Sequence, residues 1–116
     1  AQDAFFGLVC RQKNDRYYLF AVSPNGTAEI GKIVGTNFNS LAATSFQPES
    51  YNPGVNQLRA ECVGSKLAFY LNGNLLLQAE DSDFTSGAVG VLAEPLRIGL
   101  TWVGLLATAA ALPSRQ

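Results

Sequence analysis

Residues 56–93 read NQLRAECVGSKLAFYLNGNLLLQAEDSDFTSGAVGVLA, and their pattern decides the fold. Apolar and polar residues alternate through 57–63, stop at Gly64-Ser65, alternate again through 66–72, turn at Asn72-Gly73 and resume at Leu75. An Asn-Gly pair between two such runs predicts a two-residue hairpin, because a type I′ turn needs positive φ at both central residues. In the first run Leu58, Ala60 and Cys62 share a face, opposite Arg59, Glu61 and Val63. In the second, Leu67, Phe69 and Leu71 lie opposite Ala68 and Tyr70. Period two is what a half-buried antiparallel strand requires, and a slip of one residue would invert every side chain. A polar loop then leads to a last apolar run, 87–93. The stretch predicts a β-meander.

Upstream, residues 4–11 (AFFGLVCR) have the content of a buried strand. If Phe6, Leu8 and Cys10 face one way, Phe5, Gly7, Val9 and Arg11 face the other. Residues 16–23 form a second strand with Tyr18, Phe20 and Val22 inward, and the turn Pro24-Asn25-Gly26 leads to a more polar third strand over 27–34. From 35 to 55 the periodicity fails. A long surface loop is expected there, with at most one short strand near 42–46. Downstream, 96–103 suits a closing strand around Trp102, and the Ala/Leu-rich residues 104–116 suit a short helix or a loose tail. The expected division is a sandwich over 1–103 followed by this tail.

Composition closes several routes. A chain of 116 residues has room for one small core, and 47% hydrophobic residues with mean hydropathy +0.10 argue against disorder. A net charge of -1 and no basic-aromatic run offer nothing to nucleic acid. The absence of histidine excludes Ser-His-Asp and Cys-His devices within the chain. The apolar run 98–112 is shorter than the roughly 17–25 residues of a membrane span. The chain opens Ala1-Gln2-Asp3-Ala4 with neither initiator Met nor signal segment, so a larger parent protein is expected.

Four pieces, in this order and spacing, carry a family resemblance: GLVCR at 7–11, YYLFAVSPNG at 17–26, NQLRAECVGSKLAFYLNG at 56–73 and DSDFTSGAVGVLA at 81–93. Together they resemble bacterial concanavalin A-like domains of the laminin-G/lectin-glucanase type. The resemblance implies an all-β, antiparallel jelly-roll sandwich. It departs from the family in two places. The acidic-aromatic opening strands are missing, and 96–106 lacks the Phe-Asp-Asn-like closing segment. Whether the sandwich is complete is left open. Such domains serve as sugar-binding, adhesive and enzymatic modules alike.

Parity sends Arg11, Tyr17, Arg59, Glu61 and Tyr70 away from the core. If their strands share one sheet, they make one polar-aromatic patch suited to sugar, with aromatic faces for ring C–H surfaces and charged groups for hydroxyls. An ordinary solvated face with cross-strand Arg–Glu pairing is the competing reading. Cys10 and Cys62 both fall on core-facing sets and are either a disulfide between strands or two buried thiols. Glu80, Asp81 and Asp83 are calcium candidates, against plain turn chemistry; no other cofactor is expected. Asn25-Gly26-Thr27 is a formal glycosylation sequon inside a tight turn. The E-x-D-x-x-E-like pattern of the glucanase branch is absent; Glu29 and Glu61 could meet across strands as a carboxylate pair, though nothing in the sequence brings them together.

The expected function is a non-catalytic binding module of a larger extracytoplasmic bacterial protein, for carbohydrate or another surface ligand. A structural or adhesion spacer is the alternative, and a fragment of a glycoside hydrolase the third reading.

Overall fold

Asn72 and Gly73 take φ of 50° and 85°, and the turn they form joins β6 (Lys66–Leu71) to β7 (Asn74–Glu80). The backbone here is that of a two-residue hairpin, as the Asn-Gly pair demands. The computed structural model describes residues 6–23, 26–46, 56–93 and 105–111. Within them β1 (Phe6–Lys13), β2 (Arg16–Ser23), β3 (Thr27–Val34) and β4 (Asn37–Ser45) precede β5 (Asn56–Val63) and the hairpin. β8 (Ala88–Ala93) and β9 (Leu105–Ala111) follow. No helix occurs among the described residues.

The strands form two sheets, ordered β4-β3-β2-β1-β8 and β7-β6-β5-β9. Every pairing is antiparallel except β5 with β9. The inward series are those that alternation predicts. Leu8 and Cys10, Tyr18, Phe20 and Val22, and Ala28 and Ile30 of one sheet meet Leu58, Ala60 and Cys62 with Leu67, Phe69 and Leu71 of the other. Phe20 and Phe69 meet edge to face across the sandwich, ring centroids 5.7 Å apart. Cys10 on β1 is bonded to Cys62 on β5, with Cα atoms 6.8 Å apart, so the open question of the cysteines resolves into a bridge between the sheets.

Two stretches differ from the expectation. The supposed long loop contains β4, a full strand registered on β3 from Val34↔Asn37 to Thr27↔Ser45. It is a sheet edge, and Asn37 to Ser40 are all exposed, so no buried face imposed an alternation. The second difference lies in the tail. Leu105–Ala111 is neither helix nor loose but a strand parallel to β5, from Asn56↔Leu105 to Cys62↔Ala111. The open edge of β5 satisfies its backbone groups and overrides the helix propensity of Ala and Leu. The expected closing strand over 96–103, and Asn25 of the sequon, lie outside the described residues.

Candidate functional site

Arg11 does not face outward. The register of β1 shifts between Cys10 and Lys13 against β2, and between Val9 and Gln12 against β8. Arg11 sits in that bulge with φ of 56°, a left-handed conformation uncommon for a residue with a Cβ. The bulge breaks the alternation and turns the side chain inside, where it is 3% exposed. Its guanidinium donates to the carbonyls of Gly64 at 2.5 Å, Phe84 at 3.0 Å and Cys62 at 3.1 Å. Arg11 is therefore a strut joining three loop and strand ends, not a ligand-facing group. Gly87 closes against the same bulge. A Cβ there would lie 2.4 Å from the Arg11 carbonyl carbon and 2.6 Å from Gln12 N, which only glycine avoids.

The loop between β7 and β8 is fastened by the same end of the sandwich. Tyr18 donates its hydroxyl proton to Asp81 Oδ1 at 2.5 Å and accepts the Phe84 N–H at 3.1 Å. Lys32 reaches Asp81 Oδ2 at 2.9 Å and Asp83 Oδ2 at 2.5 Å. Arg16 donates to the carbonyls of Arg11 and Ser86 and lies 4.7 Å from the Phe84 ring centroid. The calcium candidates are thus divided: Asp81 and Asp83 face Lys32, and Glu80 lies 3.7 Å from Lys66. Among the described residues no group of three such side chains could hold a metal ion.

This network predicts a pH response. Burial, and then the hydrogen bond to Asp81, push the Tyr18 phenol up to about 12. The hydrogen bonds that Lys32 donates to Asp83 and Asp81 hold its ammonium protonated to higher pH than usual. Burial opposes the charge on Asp81, but the bonds from Tyr18 and Lys32 hold its carboxyl below its usual value. The native state keeps a Tyr18 proton that the unfolded chain releases near pH 10. Its contribution is therefore full below pH 10 and lost by about pH 12. Lys32 adds to that alkaline loss. Asp81 acts in the opposite sense: its contribution is present above the usual carboxylate range and lost as pH falls through its native value. Tyr18→Phe should shrink the fall in melting temperature between pH 10 and 12. An unchanged fall would mean the phenol carries none of it.

Of the five patch residues, three come together. Arg59 on β5 is the register partner of Tyr70 on β6, and its guanidinium carbon lies 4.2 Å from the Tyr70 ring centroid. The same guanidinium pairs with Glu61 Oε2 at 2.6 Å. All three stand on the outer face of the four-stranded sheet. Glu61 and Tyr70 border a hollow of about 480 Å³, together with Lys66, Ala68, Gln78 and Glu80. Tyr17 is elsewhere. It lies on the five-stranded sheet, beside a hollow of about 260 Å³ shared with Val89 and Val91. The expected single patch fails because β1 and β2 belong to one sheet and β5 and β6 to the other. Glu29 and Glu61 are separated likewise, on opposite outer faces, so they form no carboxylate pair.

The three-residue group can present a flat, half-polar surface. An ion pair with Arg59 at 43% and Glu61 at 29% side-chain exposure contributes little to stability, so both groups can exchange partners at small cost. Sequence reasoning takes Phe38 only as an isolated anchor of the 35–55 stretch; it is 49% exposed with its ring over Gly31 on the other outer face. Its only signal was a lone aromatic in a polar stretch.

No protein-family model matches the chain, and no curated protein matches it either. The fold does have a counterpart among solved structures. The chain is similar to the carbohydrate-binding module CBM66 from Bacillus subtilis, with a TM-score of 0.63 and 22% identity, over 78% of this chain. It spans about half of that module, 56% of its length. The likeness is one of fold, a β-sandwich.

Proposed function

We propose that the chain is a carbohydrate-binding module of concanavalin A-like type, carried by a larger extracytoplasmic bacterial protein, and that it does no chemistry of its own. The observation that carries the reading is the Arg59–Glu61–Tyr70 group at the rim of a hollow on the four-stranded sheet. The similarity of fold to a carbohydrate-binding module supports it. The bridge between Cys10 and Cys62 supports an oxidising compartment. Around the hollow Arg59 and Lys66 are balanced by Glu61 and Glu80, which favours neutral over acidic glycans.

A glycan array followed by calorimetry on the best hit tests this. Tyr70→Ala and Arg59→Ala should each weaken binding by about tenfold, the equivalent of roughly 1.4 kcal/mol. A folded protein that binds no glycan on the array would favour the spacer reading instead. A glycan whose affinity neither variant changes would move the site off this face.

A further inference from the structure

The outer face of the five-stranded sheet carries a trough of about 600 Å³ that sugar binding through Tyr70 does not use. Its floor is made of small residues, Ala21 on β2, Gly31 on β3 and Ala43 on β4. Phe38 is its wall. The ring lies so close over Gly31 that a Cβ there would fall 2.2 Å from Phe38 Cε1. Glu29 stands two residues before Gly31 on the same strand face, about 7 Å along the strand, and opposite Ala43 in register. Glu29 is half-buried as a residue, and its carboxylate has no hydrogen bond or ion pair among the described residues.

A carboxylate beside an apolar hollow attracts a cation brought into it, more strongly than it would in bulk water. A phenyl face within about 6 Å attracts the same cation through its quadrupole. The floor of Ala21, Gly31 and Ala43 suits a methylene stem. A sugar fits this trough less well. The Thr44 hydroxyl already donates to the Ser45 carbonyl, and Ser23 and Thr27 have partners of their own. Beyond Glu29 the lining is mainly apolar, so a polyhydroxylated ring would find few partners there for its several hydroxyls.

We propose that this trough binds an organic cation, an ammonium group on a short apolar stem, with Glu29 as counter-ion and Phe38 as aromatic wall. The site is independent of the carbohydrate reading and on the opposite side of the sandwich. A free amine and a lysyl side chain offer the same chemistry.

The test is a titration of isotope-labelled protein, followed by amide chemical shifts, at constant ionic strength. The probes are n-butylammonium chloride, n-butanol as the neutral counterpart, and Nα-acetyl-lysine methylamide. Butylammonium should give saturable shifts at Ala21, Gly31, Phe38 and Ala43, and butanol should bind about tenfold more weakly. Glu29→Gln, which keeps the side chain's shape, and Phe38→Ala should each weaken butylammonium binding about fivefold or more. Gly31→Ala, by displacing the Phe38 ring, should do the same. Tyr70→Ala should leave this binding unchanged, so failure here is separate from failure of the glycan site. If the lysine derivative binds at least as well, a presented lysyl side chain is the source; if it is excluded while butylammonium binds, the source is a free amine. Either pattern supports the site. Equal binding of butanol, indifference to Glu29→Gln, or shifts confined to other surfaces would overturn it.

Discussion

Replacing Cys10 and Cys62 together by alanine is expected to lower the unfolding free energy by about 4 kcal/mol. The bridge spans 52 positions, and the entropy of closing a loop of that length in the unfolded chain gives this value. Both residues are essentially inaccessible, at 1% and 0% exposure, so a mild reductant should leave the native bridge intact and the double substitution is the cleaner test. Urea unfolding supplies two readouts. The midpoint should fall, and the slope of free energy against urea should rise, because an untethered chain exposes more surface when it unfolds. A comparable loss with an unchanged slope would place the effect in native packing instead of in the unfolded ensemble.

Phe69→Ala is the second large effect, a loss of about 3–5 kcal/mol as a buried aromatic truncation. Phe69 is 0% exposed, sits in the middle strand of the β5-β6-β7 meander, and meets Phe20 of the opposite sheet edge to face. Removing it opens a void between the two sheets. Its neighbour Tyr70 points the other way, onto the Arg59 guanidinium, and Tyr70→Ala should cost well under half as much. Two melts under one condition decide the matter. Equal losses would mean that Tyr70 bears on the core and is not free to receive a ligand.

The pair Phe69 and Tyr70 also shows what was legible in the sequence. Where a strand buries one face, alternation is enforced by the cost of a wrong register, and β5, β6 and most of β2 could be read directly. β4 buries neither face well and therefore left no alternation to read. β9 is held as a strand by the edge of β5, a partner some fifty positions earlier, which no local pattern records. Arg11 was misplaced for a third reason. Parity assumes an unbroken pleat, and a bulge at one residue reverses it without any composition cue such as glycine. The split of the site follows from pairing between strands, since parity fixes the face of a strand but not the sheet it joins. Arg59, Glu61 and Tyr70 stayed together because adjacent strands of one meander share a sheet.

The two edge pairings impose an order on synthesis. The β1–β8 pairing runs from Phe6↔Ala93 and the β5–β9 pairing from Asn56↔Leu105, so each earlier strand must wait for a much later one. At about 5–20 residues per second, β1 emerges and waits roughly 4–16 s with one edge open while the chain lengthens. Cys62, by contrast, arrives well before β8 does. In an oxidising compartment the bridge to Cys10 can therefore form on an unfinished sandwich, holding β1 against β5 while both still lack their outer neighbours. The bond then acts as a clamp during assembly as well as a brace afterwards. A chain made without it would keep the open edge of β1 available for longer to pair with another chain.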